Sequence, residues 1–170
     1  KRNPSSSMPN SRRADQLVTV VTGGGSGFGE EICHTFAREG ARIVVADLHA
    51  ENGNRVVQAL LTAGHEALFC RVDVSQSAEM AGLVAATLER FGRIDVMVNN
   101  AGISHPNQPM LSLSEDAFDR LYRVNVKSIY LSAVHCVPVF RRQRSGCFIN
   151  IGSTAAVRPR PGLSWYNGPQ

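Results

Sequence analysis

A β-branched run, Val18-Thr-Val-Val-Thr22, passes directly into five glycines within seven positions, Gly23-Gly-Gly-Ser-Gly-Phe-Gly29. The run has the composition of a buried strand, and residues 30–39 follow a helical pattern. A strand that stops in glycines and restarts as a helix brings bare backbone N–H groups and the positive end of a helix dipole to one point. That point favours a phosphate, and in a strand–helix unit of this kind it favours the pyrophosphate of a dinucleotide. Gly23, Ser26, Gly27, Phe28 and Gly29 are the candidate cradle. A glycine cluster elsewhere makes an ordinary loop; the flanking strand and helix argue against that here.

The alternation continues along the chain. Short Val/Ile/Leu/Phe-rich runs at Leu17–Thr22, Arg42–Ala46, Ala67–Val72, Ile94–Asn99 and Cys147–Ile151 predict strands covered on both faces. Helical patterns fill the gaps over Gly29–Glu39, Glu51–Ala63, Ala78–Phe91 and Glu115–Arg142. Gly40, Gly64 and Gly92 stand where left-handed helix caps belong, and Ser112-Leu-Ser-Glu115 offers a capping box to the fourth helix. Such alternation predicts an α/β fold, a Rossmann-like doubly wound parallel sheet. Five strands are visible where a full dinucleotide fold has about six. The expected organisation is a disordered leader over residues 1–15 and one dinucleotide-binding domain over 16–170. The chain stops at Gln170 just as another helix should begin, so it is expected to be the N-terminal portion of a longer protein.

Composition narrows the classes. Hydrophobic residues make up 43% and charged residues 19% of the 170 residues, as in a soluble globular domain. No window approaches the roughly 20 apolar residues that span a bilayer, and the polar N-terminus has no secretory pattern. The expectation is a cytoplasmic protein without a membrane partner. The net charge of +4 owes much to Lys1, Arg2, Arg12 and Arg13 in the leader, which argues against a nucleic-acid partner. Cys33, Cys70, Cys136 and Cys147 form no C-x-x-C pair and lie in apolar segments, so they read as buried free thiols. The five histidines have no metal-ligand spacing, and no metal site is expected.

Chemistry-bearing residues fall at the carboxyl ends of the predicted strands, the edge where parallel sheets bind ligands. Asp47 closes the second strand, about twenty residues after the glycine run. A carboxylate there accepts ribose hydroxyls and repels a 2′-phosphate, and the following Leu48 offers no cation, so NAD is favoured over NADP. Asp73 and Val74 end the third strand; Asp73 alone also suits an N-cap for the next helix. Asn99-Asn100-Ala101-Gly102 ends the fourth, with amides to tie loops together and small residues to admit a close ligand.

Thr22-Gly-x-x-x-Gly-x-Gly29, Asp47, Asp73, Asn99-Asn-Ala-Gly102, Asn125 in Val-Asn-Val, Ser153 and Tyr166 together resemble the short-chain dehydrogenase/reductase family in order and spacing, from about residue 17 to 168. Ile149-Asn-Ile-Gly-Ser-Thr154 through Trp165-Tyr-Asn-Gly168 is similar to its glucose 1-dehydrogenase or 3-oxoacyl-carrier-protein reductase branch. The resemblance implies an NAD-dependent oxidoreductase acting on CH–OH or carbonyl groups of a small alcohol or ketone. Tyr166 would be the general acid/base and a cofactor contact. Ser153 would hold the substrate oxygen. Asn125 would distort its helix and hold a water of a proton relay. The resemblance also implies a homo-oligomer, built on the helix carrying Leu121, Val124, Ile129, Leu131 and Val134.

The chain departs from the family pattern at its last residue, where Gln170 stands in place of the lysine of Tyr-x-x-x-Lys, after Pro169. A free phenol ionises near pH 10, and a neighbouring ammonium would favour its anion; a glutamine carries no such charge. The expectation is therefore an inactive piece of an enzyme, the alternative being a non-catalytic nucleotide-binding or scaffold protein of the same fold.

Overall fold

β1 (Val18–Thr22) is buried along its whole length and pairs in parallel with both β2 (Arg42–Asp47) and β4 (Val96–Asn99). β3 (Ala67–Arg71) extends the sheet beyond β2 and β5 (Cys147–Asn150) beyond β4, giving the order β3-β2-β1-β4-β5. Strand order reverses between β1 and β4, which opens a crevice at their carboxyl ends. The computed structural model describes residues 14–168. Of the expected leader, residues 1–13 lie outside the described residues, as do Pro169 and Gln170. Ala14 is buried, and its N–H donates to the Glu39 carbonyl at 3.1 Å.

Helices cover both faces of the sheet. Val21 of β1 points to one side, into a core with Cys33 and Ala37 of α1 (Gly27–Arg38) and Val56 and Leu60 of α2 (Ala50–Thr62). Val18 and Val20 point to the other, packing with Met80 and Leu83 of α3 (Ser77–Phe91) and Leu131 and Val139 of α5 (Ser128–Gln143). This alternation along one strand is how a β-branched run with no polar period serves two cores at once. The doubly wound parallel α/β sheet is thus the observed fold.

Four local expectations change, one being thiol burial: Cys147 is exposed and Cys70 half-buried, because both lie on edge strands. The strands are covered on both faces only in β1, β2 and β4; β3 is largely half-buried and β5 is mostly exposed, because these two are the sheet edges. The single long helix predicted from Glu115 is broken into α4 (Glu115–Tyr122), a π turn (Arg123–Lys127) and α5. The cap of α4 is Ser114, whose hydroxyl accepts from Ala117 N–H at 3.3 Å, while Ser112 belongs to a preceding 3₁₀ turn (Met110–Ser112). Gly40, Gly64 and Gly92 do close their helices with positive φ, at 94°, 84° and 76°. No helix among the described residues is long and apolar enough to cross a membrane.

Candidate active site and nucleotide groove

The glycine run lies at the crevice mouth, between β1 and the N-terminus of α1. Gly23 has φ +63°, and a Cβ on it would sit 3.0 Å from the Ala101 Cα; a Cβ on Gly29 would overlap the Gly23 carbonyl oxygen. Only glycine lets the two backbones approach this closely. Ser26 is the N-cap of α1 but makes no side-chain cap hydrogen bond, so it uses none of the helix's first N–H groups. That is the donor set a phosphate requires. Gly27, at φ +55°, has open space where its side chain would be.

β1 and β4 are tied above the sheet by one buried hydroxyl. Thr22 Oγ1 accepts from the N–H groups of Asn100 and Ala101 at 3.0 and 3.1 Å and donates to the Val98 carbonyl at 3.2 Å. The Asn100 amide donates back to the carbonyls of Thr22 and Gly23 at 3.0 and 3.2 Å. Asn99 reaches sideways instead, donating to Asn150 Oδ1 at 2.7 Å across β4 and β5. Thr22 and Asn150 were absent from the candidate set, because their role depends on pairings invisible in local sequence.

Asp47 is nearly buried and already engaged. Its Oδ2 accepts from Gly25 N–H and its Oδ1 from His49 N–H, both at 2.9 Å. Since an ionised carboxylate accepts about four hydrogen bonds, capacity for ribose hydroxyls remains. Asp73 Oδ1 accepts from the N–H and hydroxyl of Ser75 at 2.9 and 2.7 Å, closing a turn; the N-cap of α3 is Gln76, so Asp73 is no helix cap. Arg55 of α2 grips Glu30 through both carboxylate oxygens at 2.7 Å and donates to the Gly25 carbonyl at 3.1 Å. That hydrogen-bonded guanidinium holds the Glu30 carboxyl below its usual range. Under the loop, burial pushes the Cys33 thiol up to about 12.

Two adjoining clefts run from this point. One, of about 390 Å³, is lined by Gly23, Ser26, Phe28, Gly29, Asp47, Asp73, Val74, Asn100, Ala101 and Gly102. Gly27 is the one expected cradle residue that does not line it, and Arg120 of α4 does. The second, of about 810 Å³, shares Phe28 and Asn100–Gly102 with the first and adds Asn125, Ser153 and Tyr166. Both volumes suit small-molecule ligands. The candidate nucleotide residues and the candidate catalytic residues therefore border two adjoining clefts that share a wall.

Each catalytic candidate is held by a separate device. Asn125 sits in the π turn, where its amide clasps the Ile103 backbone at both ends, accepting from N–H and donating to C=O at 2.9 Å each. A π turn in a helix is a costly irregularity that recurs at functional sites. The distortion expected at Asn125 is present, and its side chain spends itself on Ile103. Ser153 caps a 3₁₀ turn (Thr154–Ala156), its hydroxyl accepting from Ala155 N–H at 3.1 Å. Tyr166 is half-buried in the short helix α6 (Ser164–Asn167). Trp165 anchors that helix, donating to the Met110 carbonyl at 2.8 Å and meeting Phe118 edge-on at 5.4 Å. Among the described residues no three His, Cys, Asp or Glu side chains gather as metal ligands.

Known proteins match this chain in sequence and fold. The family model described as short chain dehydrogenase matches residues 17–168. The chain is 46% identical over 154 residues to the 4-formylbenzenesulfonate dehydrogenase of Comamonas testosteroni, covering 91% of this chain and 61% of that protein. It superposes on the 3-ketoacyl-(acyl-carrier-protein) reductase of Brucella melitensis complexed with NADH with TM-score 0.87 and 38% identity, covering 92% of this chain and 65% of the other. A 7α-hydroxysteroid dehydrogenase, complexed with NADH and 7-oxo glycochenodeoxycholic acid, matches with TM-score 0.88 and 31% identity, over 94% of this chain and 62% of its own. The chain thus spans less than two thirds of the length of each of these relatives. With its groove and its motifs in register, the chain belongs to the short-chain dehydrogenase family.

Proposed function

We propose that this chain comes from an NAD-dependent oxidoreductase that interconverts a small alcohol and its carbonyl compound. The observation that carries the reading is that Ser153, Tyr166 and Asn125 border the same cleft, which adjoins the glycine-lined groove at the β1/β4 crossover. A nicotinamide cofactor, when bound, supplies the hydride acceptor or donor. The chain's own part is to hold and to move protons. The first turn of α1 and the glycine backbone receive the pyrophosphate; Asp47 takes ribose hydroxyls, which favours NAD over NADP. Ser153 orients the reacting oxygen, and Tyr166 exchanges a proton with it, passed on by a water at the π turn beside Asn125. The exposed Val134 of α5 serves self-association, whereas Leu121 and Leu131 are spent on the internal core and Ile129 lines the larger cleft.

Gln170 favours a second reading, a nucleotide-binding protein without turnover, since no ammonium follows Tyr166 in the family's position. The two readings share the groove and differ in chemistry. Fluorescence titration of the 170-residue chain should show saturable NADH binding, tighter than NADPH. Absent binding, or tighter NADPH binding, overturns the nucleotide reading. Incubation with NAD and a panel of secondary alcohols should form no NADH. Steady NADH formation would overturn the assignment of Gln170 as disabling.

A further inference from the structure

The larger cleft has one charged residue on its wall. Phe28, Ile103, Ile129 and Ile151 give it an apolar flank, asparagine and serine line its floor, and Arg160 is its sole ionisable group of permanent charge. No Asp or Glu occurs anywhere from residue 120 to 168. Among the described residues no carboxylate pairs with the Arg160 guanidinium, as with Arg120 and Arg158, but of these arginines only Arg160 lines the larger cleft.

The backbone that carries Arg160 is also fixed. Pro159 and Pro161 flank it, each locking its own φ. Asn167 brackets it, accepting from Arg160 N–H at 3.4 Å and donating to its carbonyl at 3.2 Å. The same carbonyl accepts from Leu163 N–H at 3.2 Å, and Asn107 donates to the Pro161 carbonyl at 3.1 Å. Asn167 is the residue after Tyr166, so the bracket ties the guanidinium's base to the helix bearing the candidate acid/base. Arg160 is an exposed residue at the cleft wall, and a guanidinium on a locked loop beside an apolar wall can anchor a ligand anion.

We infer that Arg160 selects substrates with an apolar body carrying a carboxylate or sulfonate away from the reacting oxygen. This rests on the oxidoreductase reading above and names its substrate class. The guanidinium meets either anion through two parallel N–H donors, while Ser153 and Tyr166 hold the alcohol or carbonyl end.

The test is equilibrium binding to the full 170-residue chain loaded with NAD, using 4-(hydroxymethyl)benzoate, 4-(hydroxymethyl)benzenesulfonate and benzyl alcohol. At low salt at least one anionic probe should bind about tenfold more tightly than benzyl alcohol, the scale of a charge-assisted hydrogen bond. Arg160→Gln should abolish that preference and Arg160→Lys should keep part of it, with NAD affinity unchanged in both. Whichever anion shows the preference identifies the source. If NAD binds but all three probes bind alike, or Arg160→Gln keeps the preference, the inference is overturned and the oxidoreductase reading stands. If NAD does not bind, that reading falls, and the substrate class with it.

Discussion

Asp47 Oδ2 accepts a hydrogen bond from the Gly25 N–H at 2.9 Å, so the residue proposed to take the ribose hydroxyls also pins the glycine loop. Both roles predict the effect of removing it. Asp47→Ala leaves a buried N–H without an acceptor, a cost of about 1–3 kcal/mol, and also removes the charge that repels a 2′-phosphate. Thermal stability should fall, and NADH affinity should fall with it. The NADH-to-NADPH affinity ratio should move toward NADPH. Asp47→Asn keeps an acceptor for Gly25 and should shift the ratio with a smaller loss of stability. Paired titrations of the two nucleotides check this; an unmoved ratio in both variants defeats the ribose assignment.

Thr22 predicts a larger structural effect than its size suggests. Its buried hydroxyl receives the N–H groups of both Asn100 and Ala101. Thr22→Val preserves shape and strands both donors, which should cost about 2 kcal/mol. Thr22→Ser restores the oxygen and should recover most of it, losing only a methyl. Urea unfolding monitored by circular dichroism measures both. Near-wild-type stability in Thr22→Val would show that the β1–β4 tie is carried elsewhere.

The parts legible in the sequence were those whose cause is local. The β-branched runs, the glycine helix ends and the glycine cradle each follow from steric preference within a few residues. Asp47 is read from its distance to the glycine run, and Asn100 from its place at the carboxyl end of the fourth predicted strand. What stayed hidden depends on distant partners: Arg55 meets Gly25 30 positions away, Trp165 meets Met110 at 55, and Asn100 meets Thr22 at 78. Ser112 and Ser114 show a different limit. Either hydroxyl can cap a helix before Glu115, and the 3₁₀ turn at Met110–Ser112 decides between them. The π turn was legible only as a likeness, since Arg123–Lys127 has no residue that ordinary helix propensity rejects.

The thiols give a pH-dependent prediction. Burial pushes Cys33 and Cys136 to about 12 from an ordinary value of 9.0. In the unfolded chain both ionise from about pH 9 upward, while in the fold they keep their protons. The unfolded state therefore loses protons first, and the contribution of these two thiols to stability is fully present below pH 9 and declines as pH rises toward 12. Denaturant midpoints measured across that range should fall, with a shallower fall in Cys33→Ala. At pH 7.5 a maleimide should label the exposed Cys147 first and half-buried Cys70 next, with Cys33 and Cys136 reacting only through unfolding. Rapid labelling of Cys33 would contradict its place beneath the glycine loop.

Asn125 links the broken helix to the groove through a single residue. Its amide satisfies both the N–H and the C=O of Ile103, and that pairing holds the β4–α4 loop, which lines both clefts, against the π turn. Asn125→Ala removes an acceptor and a donor together. The Ile103 amide should then exchange with solvent at least tenfold faster, the minimum expected for losing about 1.4 kcal/mol of local protection. Asn125→Asp separates the two halves: its carboxylate still accepts from Ile103 N–H, yet it faces the Ile103 carbonyl with like charge. Exchange at Ile103 should be intermediate, and the loop should loosen on the carbonyl side. Hydrogen exchange followed by NMR resolves this residue by residue, with the amides of β1 as an internal control that neither variant should alter. Unchanged protection at Ile103 in Asn125→Ala would mean that the π turn keeps its shape without the clasp.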